Sequence, residues 1–169
     1  ILGDSEWETF TLDTPFEYSG EDNLVVVVAK KSSNENSGLK WYFTSSTDYV
    51  SLYRRSDEKS SYASHPGTNT GTFLKGYANI RLSVERNKHF ERITIGEGTS
   101  YSYNDRPFIN SYKHAWDETI YKKDDIGSAG IINSISYHCE RTSERLGATI
   151  KIYMGETTDN NISSNTDWT

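Results

Sequence analysis

The stretch Leu24-Val-Val-Val-Val-Ala29 is apolar at every position and follows the turn-like sequence Gly20-Glu-Asp-Asn23. An apolar run of this length without alternation is typical of a strand that is covered on both faces. Gly, Asp and Asn favour turns because they tolerate the backbone conformations that turns need. We therefore predict a central, doubly covered strand that begins directly after Asn23.

Shorter segments on both sides of this run alternate between apolar and polar residues, as half-buried strands do. Ile80, Leu82 and Val84 share one face of such a segment, and Ile131 to Cys139 is a longer one. About nine strands can be counted, at the spacing typical of sandwiches. The sequence predicts an all-β fold, a two-layer antiparallel β-sandwich of jelly-roll or immunoglobulin-like type, in a single domain over residues 1–169.

The composition favours a core of aromatic and β-branched side chains. Hydrophobic residues make up 34% of the chain and aromatic residues 13%, with 12 Tyr and 4 Trp. Aromatic and β-branched residues fit strands better than helices. We expect Trp7 and Trp41, which lie in predicted strands, to be core residues, and Cys139 to be a small buried thiol. One helical turn is predicted at Lys123 to Gly127.

The charge pattern argues against two classes of partner. The formal net charge is −6, and the basic pairs, such as Lys30–Lys31, are isolated from one another. Nucleic-acid binding needs clustered Lys and Arg to displace counterions, so we expect no nucleic-acid partner. No run approaches the roughly 20 apolar residues of a membrane span, so we also expect no membrane insertion.

The sequence carries no recognisable catalytic motif. Its four histidines are far apart, which disfavours zinc, and no Gly-x-Ser-x-Gly elbow is present. We therefore expect no enzyme activity and no cofactor. Calcium is the ion that the oxygen-rich loops could bind, although the same residues are typical of ordinary turns. The candidate calcium ligands are Glu21, Asp22, Asn23 and Asp159.

Aromatic residues in polar, loop-like sequence supply the candidate ligand site, because flat rings beside polar groups can stack on a sugar or anchor a protein. The same rings could instead plug the ends of a small sandwich. Tyr101 belongs to this aromatic group. The candidate ligand-binding residues are Tyr103, Arg106, Tyr112, Trp116 and Asp117.

Two groups of segments carry a resemblance. The first group consists of Ile95–Ser100, Glu118–Gly130, Ile132–Tyr137, Ile150–Gly155 and Asn165–Trp168, and the second of Trp7–Gly20, Asn23–Val28 and Ala78–Leu82. The first group is similar to the first half, and the second group to the second half, of a β-sandwich repeat found in large secreted proteins of Bacteroidetes. In the repeat, however, the two halves follow each other in the opposite order. Here residues 1–84 resemble the second half, residues 92–169 the first half, and residues 85–91 form the joint.

The resemblance implies a secreted or cell-surface protein with a structural or adhesive role. The reversed order implies a window cut across a tandem array or a circular permutant, with a connecting strand missing between Thr169 and Ile1. An open sheet edge is a template for another chain's strand. We therefore expect a non-catalytic adhesion or structural module that a neighbouring repeat or another protein chain completes by strand addition. The alternative is a carbohydrate-binding module with glycans as partners.

Overall fold

The computed structural model describes residues 5–32, 39–57, 70–102, 107, 112–141 and 147–164. Within these ranges the chain folds into two antiparallel sheets that pack face to face around one interior cluster of apolar side chains. The predicted all-β, two-layer antiparallel sandwich is confirmed. No helix in the described ranges has the length and apolar character that crossing a membrane requires.

The described residues form twelve strands and one short helix, against about nine strands predicted. The elements are β1 (Ser5–Tyr18), β2 (Asn23–Ser32), β3 (Leu39–Ser45), β4 (Ser51–Ser56), β5 (Thr72–Leu74), β6 (Gly76–Ala78), β7 (Ile80–Arg86), β8 (His89–Ile95), β9 (Ser100–Ser102), β10 (His114–Tyr121), α1 (Lys123–Ile126), β11 (Gly130–Arg141) and β12 (Ala148–Thr157). The predicted helical turn is α1, and Gly127 ends it with a φ of 86°.

The five-stranded sheet has the order β12-β2-β10-β4-β5. The apolar run predicted to be central lies in β2, between β12 and β10. Leu24, Val26 and Val28 face the sandwich interior, whereas Val25 and Val27 belong to a second apolar cluster on the outer face of the sheet. Both faces of the run are therefore covered, as predicted.

The seven-stranded sheet is built around β11, which pairs with β1 along one edge and with β7 and β3 along the other. The alternation from Trp7 to Leu12 predicts a strand that ends before Pro15, because proline has no backbone N–H to donate to a sheet. In the structure β1 continues to Tyr18, and its register shifts between Thr11 and Phe16. Pro15 lies inside this irregularity, where a missing backbone N–H is tolerated. The strand therefore passes through the proline.

A fork in the seven-stranded sheet lies at Asn79, between β6 and β7. The Asn79 N–H donates to Tyr42 O at 3.0 Å, and its carbonyl accepts from the His138 N–H at 3.1 Å. β7 therefore stays beside β11, while β6 turns away from β11 and pairs with β3. The fork brings the end of β3 and the start of β7 together beside His138 in β11.

The interior contains two of the residues predicted for it. Trp41 is 1% exposed and Cys139 is fully buried, and both belong to the interior cluster. The predicted joint, residues 85–91, forms the hairpin between β7 and β8, in which Asn87 and Lys88 adopt positive φ values of 49° and 67°. Two consecutive residues in this conformation match the twist of a tight antiparallel hairpin.

Candidate functional site

The outer edge of β12 is the least protected sheet edge in the described part of the chain. β12 pairs with β2 in an unbroken register from Ala148 to Thr157, and among the described residues it pairs with no other strand. The strand contains no proline and no bulge, and Lys151 is its only basic residue. A long, regular edge of this kind is a template for another strand.

The other edges carry features that discourage strand addition. β5 and β9 are each three residues long. β1 contains Pro15 and a register shift. β8 exposes Glu91 and Arg92 along its length. Short strands, prolines, bulges and exposed charges all oppose edge-to-edge pairing, so β12 stands out.

An apolar seam runs between β1 and β12, the two strands that border the same side of the sandwich. The inward-facing side chains of both strands pack against the interior cluster but remain only partly buried. The members of this seam are Phe10, Leu12, Phe16, Ile150, Ile152 and Met154. Fully burying an aliphatic or aromatic side chain is worth about 1.5–3 kcal/mol. A strand that covered this seam would therefore gain apolar contact in addition to backbone hydrogen bonds.

Polar contacts close one end of the seam. The carboxylate of Glu156 accepts hydrogen bonds from the backbone N–H and the hydroxyl of Ser19, the former at 2.8 Å. Beyond them, the side-chain amide of Asn23 donates to Asp159 O at 2.8 Å. The Ser19–Glu156 bonds join the end of β1 to β12, and the Asn23–Asp159 bond joins the start of β2 to the segment after β12. Residues 1–4 and 165–169, between which the missing strand was predicted, lie outside the described residues.

The structure brings the predicted calcium ligands only partly together, and the contacts that they make are hydrogen bonds to neighbouring residues. Asn23 is buried, and its side-chain oxygen accepts from the Lys123 N–H at 2.9 Å. The Lys123 ammonium group donates to Glu21 O at 2.7 Å, and Asp22 O accepts from the Tyr18 hydroxyl at 2.8 Å. In the described ranges, no three His, Cys, Asp or Glu side chains are grouped as metal ligands would be.

Trp116 and Asp117 lie in strand β10, and the prediction that Trp116 belongs to a loop is wrong. Trp116 is 5% exposed and belongs to the outer-face cluster, where its ring stacks on Tyr153 with centroids 6.1 Å apart. Asp117 is 2% exposed, and its carboxylate accepts from the Thr119 hydroxyl at 3.1 Å. Neither side chain is exposed to bind a sugar or a protein.

Tyr112 has structural contacts at one end of the sandwich. The Arg55 guanidinium carbon lies 4.8 Å from the centre of its ring, and its carbonyl accepts from the Lys30 ammonium group at 2.9 Å. Burial lowers the pKa of Lys30 to about 8, although Asp57 acts in the opposite direction. Tyr103 and Arg106 lie outside the described residues. The predicted ligand set is therefore not brought together as one site by the residues that are described.

A row of aromatic rings crosses the outer face of the seven-stranded sheet. The Trp7 ring stacks on His138 at 4.8 Å, His138 stacks on Tyr42 at 4.4 Å, and Tyr42 contacts Tyr101 edge-on at 6.3 Å. Trp7 is partly exposed and lies outside the interior cluster, so its prediction as a core residue is wrong. The predicted loop that contains Tyr101 includes the short strand β9.

Charged groups flank this aromatic row at both ends. The Arg81 guanidinium carbon lies 3.8 Å from the centre of the Trp7 ring, and Lys40 lies 4.8 Å from that of Tyr101. Glu140 forms an ion pair with Lys40 at 2.9 Å and accepts from the Tyr42 hydroxyl at 3.0 Å. These hydrogen bonds, that of Lys40 first, lower the pKa of the Glu140 carboxyl group.

This row could not be predicted from the sequence because its members come from four strands that are distant along the chain. Trp7 and His138 are cross-strand partners in the β1–β11 ladder, and their contact depends on that register. The sequence does indicate one part of the row, because alternation along β3 places Lys40 and Tyr42 on one face of the strand and Trp41 on the other.

Comparison of the chain with protein-family models, with curated proteins and with solved structures gave no match.

Proposed function

We propose that this chain is a non-catalytic structural or adhesive module of a secreted or cell-surface protein, which joins a second copy of itself or a like repeat by strand addition at β12. The observation that carries the proposal is the unbroken ten-residue edge of β12 beside the apolar seam. The resemblance to an extracellular repeat supports the location and the structural role.

The chemistry of the seam defines the occupant. An added strand would bond to the outer backbone groups of β12 and direct alternate apolar side chains towards Phe10, Leu12 and Ile152. Main-chain bonds provide affinity in such additions, and the pockets for alternate side chains provide specificity. The occupant is therefore an extended segment in which apolar and polar residues alternate, a pattern that the strands of this chain themselves have.

Size-exclusion chromatography with light scattering tests the proposal on the purified chain over a wide concentration range. We expect a monomer that self-associates as its concentration rises. Ile152→Lys should weaken this association, because an inward-pointing charge at an edge opposes pairing. Tyr153→Lys is the matched control, since Tyr153 is 49% exposed on the outer face of the same strand.

Circular dichroism and thermal melting establish that both variants are folded. Slower hydrogen exchange at the backbone amides of β12 in the associated form would locate the contact. A monomer at all concentrations, or an association that Ile152→Lys leaves unchanged while the variant is folded, would contradict the proposal.

The carbohydrate-binding alternative receives no support from Trp116 and Asp117, because both are buried.

A further inference from the structure

A hollow of about 260 Å³ lies on the outer face of the seven-stranded sheet, beside the aromatic row. Its floor consists of small hydroxyl side chains on neighbouring rungs of the ladder. Ser136 lies between Thr9 and Arg81, and Ser134 lies beside Ser83. Small residues flanked by larger ones leave a depression in an otherwise flat sheet surface. The hollow therefore results from the small size of these side chains, and the regular strands that carry them keep its shape.

Two arginines and one indole ring form the walls. Arg81 pairs across the ladder with Thr94, and Arg92 pairs with Ser83, so the two guanidinium groups come from adjacent strands. Trp7 lines the hollow beside Arg81. The Arg81 Nε donates to the Thr94 hydroxyl at 3.3 Å, and its guanidinium group is held against the Trp7 ring. Arg81 is thus fixed in place before any ligand arrives.

The positive charge of this hollow is not neutralised by the described part of the chain. Neither Arg81 nor Arg92 takes part in an ion pair with a described residue, and no acidic residue is among those that line the hollow. The chain as a whole has a net charge of −6. Two guanidinium groups that line one hollow repel each other, and an anion bound between them would offset this repulsion. Burial, and secondarily the charge of Arg92, lowers the pKa of Arg81, which agrees with such repulsion.

We propose that this hollow binds a single acidic sugar residue, whose carboxylate or sulfate group lies between Arg81 and Arg92. Guanidinium groups bind such oxyanions through paired, charge-assisted hydrogen bonds. The hydroxyl groups of Thr9, Ser83 and Ser136 match the hydroxyl groups of a sugar ring. A volume of about 260 Å³ is small for an oligosaccharide, which limits recognition to one residue, such as a chain end. His138 and Arg81 both pack against the Trp7 ring, and these contacts fix the position of the ring beside the hollow.

This site is separate from the proposed strand addition, because it lies on the outer face of the seven-stranded sheet, whereas the seam residues of β1 pack against the interior cluster. Isothermal titration calorimetry at low salt tests it with three probes: a uronic acid oligosaccharide, a sulfated disaccharide and the corresponding neutral oligosaccharide. We expect binding of at least one acidic probe and none of the neutral one. Comparison of the first two probes tells a carboxylate from a sulfate, and sodium sulfate alone tests for simple anion binding.

Two arginine variants and one control complete the experiment. Arg92→Gln should lower the affinity for the acidic probe about tenfold or more, because an exposed side chain is changed without loss of packing. Arg81→Gln should do the same. Lys122→Gln removes an equal charge from an exposed position outside the hollow and should leave binding unchanged.

Three results would overturn the assignment: no binding of either acidic probe, unchanged binding by Arg92→Gln, or sodium sulfate binding as tightly as the sugars. The last result would show an anion site without recognition of a sugar. The variants' melting temperatures show whether any loss of binding comes from loss of the fold.

Discussion

The side chain of Asn79 donates a hydrogen bond to Gly98 O at 2.7 Å and thereby attaches the segment after β8 to the fork of the seven-stranded sheet. The Asn79 side-chain oxygen accepts from the Thr44 hydroxyl at 2.8 Å, and that hydroxyl accepts from the Gly98 N–H at 2.9 Å. Asn79 is 2% exposed. These three residues form a closed polar network in which each bond supports the others.

Asn79→Ala should therefore lower the free energy of unfolding by roughly 2–3 kcal/mol, because it leaves buried polar groups without partners. Chemical denaturation measures the change. Asn133→Ala is the control: that side chain donates only to Ile131 O in its own strand, and we expect a loss below about 0.5 kcal/mol. Equal losses in the two variants would show that the network does not stabilise the fork.

Lys30 should make the stability depend on pH in the alkaline range. Its pKa is about 8 in the folded chain against 10.5 ordinarily, so between these values the unfolded chain binds more protons. The stability of the native chain relative to Lys30→Met should therefore rise with pH, by roughly 2–3 kcal/mol from about pH 7 to about pH 10. Below about pH 7 the difference should be constant. Denaturation of both proteins across this range measures it, and a difference that falls with rising pH would contradict the lowered pKa.

Trp116 should behave as a packing residue. Trp116→Ala would open a cavity among Val27, Leu52 and Ile162 in the outer-face cluster and should cost roughly 3–5 kcal/mol of stability. Tyr153→Ala removes the half-exposed ring stacked on it and should cost far less. Thermal and chemical denaturation separate the two. If Trp116→Ala kept full stability and lost binding of a glycan, Trp116 would instead be a ligand contact.

The bonds between Ser19 and Glu156 should hold the closed end of the seam. Glu156→Gln has one acceptor oxygen where the carboxylate has two, so we expect a loss of about 0.5–1.5 kcal/mol and faster hydrogen exchange at the C-terminal end of β12. A double-mutant cycle with Ser19→Ala isolates the interaction. Additive losses in that cycle would show that the two residues do not stabilise each other.

The features of the fold that follow from local pattern could be predicted from the sequence. The apolar run Leu24 to Ala29 predicted the doubly covered strand β2, and alternation predicted β7 and β11. Strand β10 was missed, although it is central in its sheet. All eight of its residues are buried, and they include the polar residues Asp117, Glu118 and Thr119. A strand that is buried on both faces does not alternate between apolar and polar residues. Polar residues within it also interrupt the continuous apolar run by which such a strand is predicted.

The candidate sites could not be predicted because they depend on register and on sheet order. The ligand residues predicted around Trp116 and Tyr112 lie in locally polar sequence. Part of that sequence, however, belongs to a buried strand. The hollow between Trp7 and Arg92 combines β1, β11, β7 and β8. No spacing along the chain indicates that these residues meet. In the same way, the edge of β12 is recognised only from the sheet order, in which β12 has one neighbouring strand among the described residues.

The pairing of β1 with β11 determines when this molecule can fold during its synthesis. Thr9 and Ser136, which bond to each other at 2.8 Å, are 127 positions apart. β1 therefore leaves the ribosome before β11 and stays without this partner until the intervening residues have been synthesised. Contacts at such long separation slow folding. We therefore expect the native structure of this sheet to form late and in a single step, once β11 is available to pair.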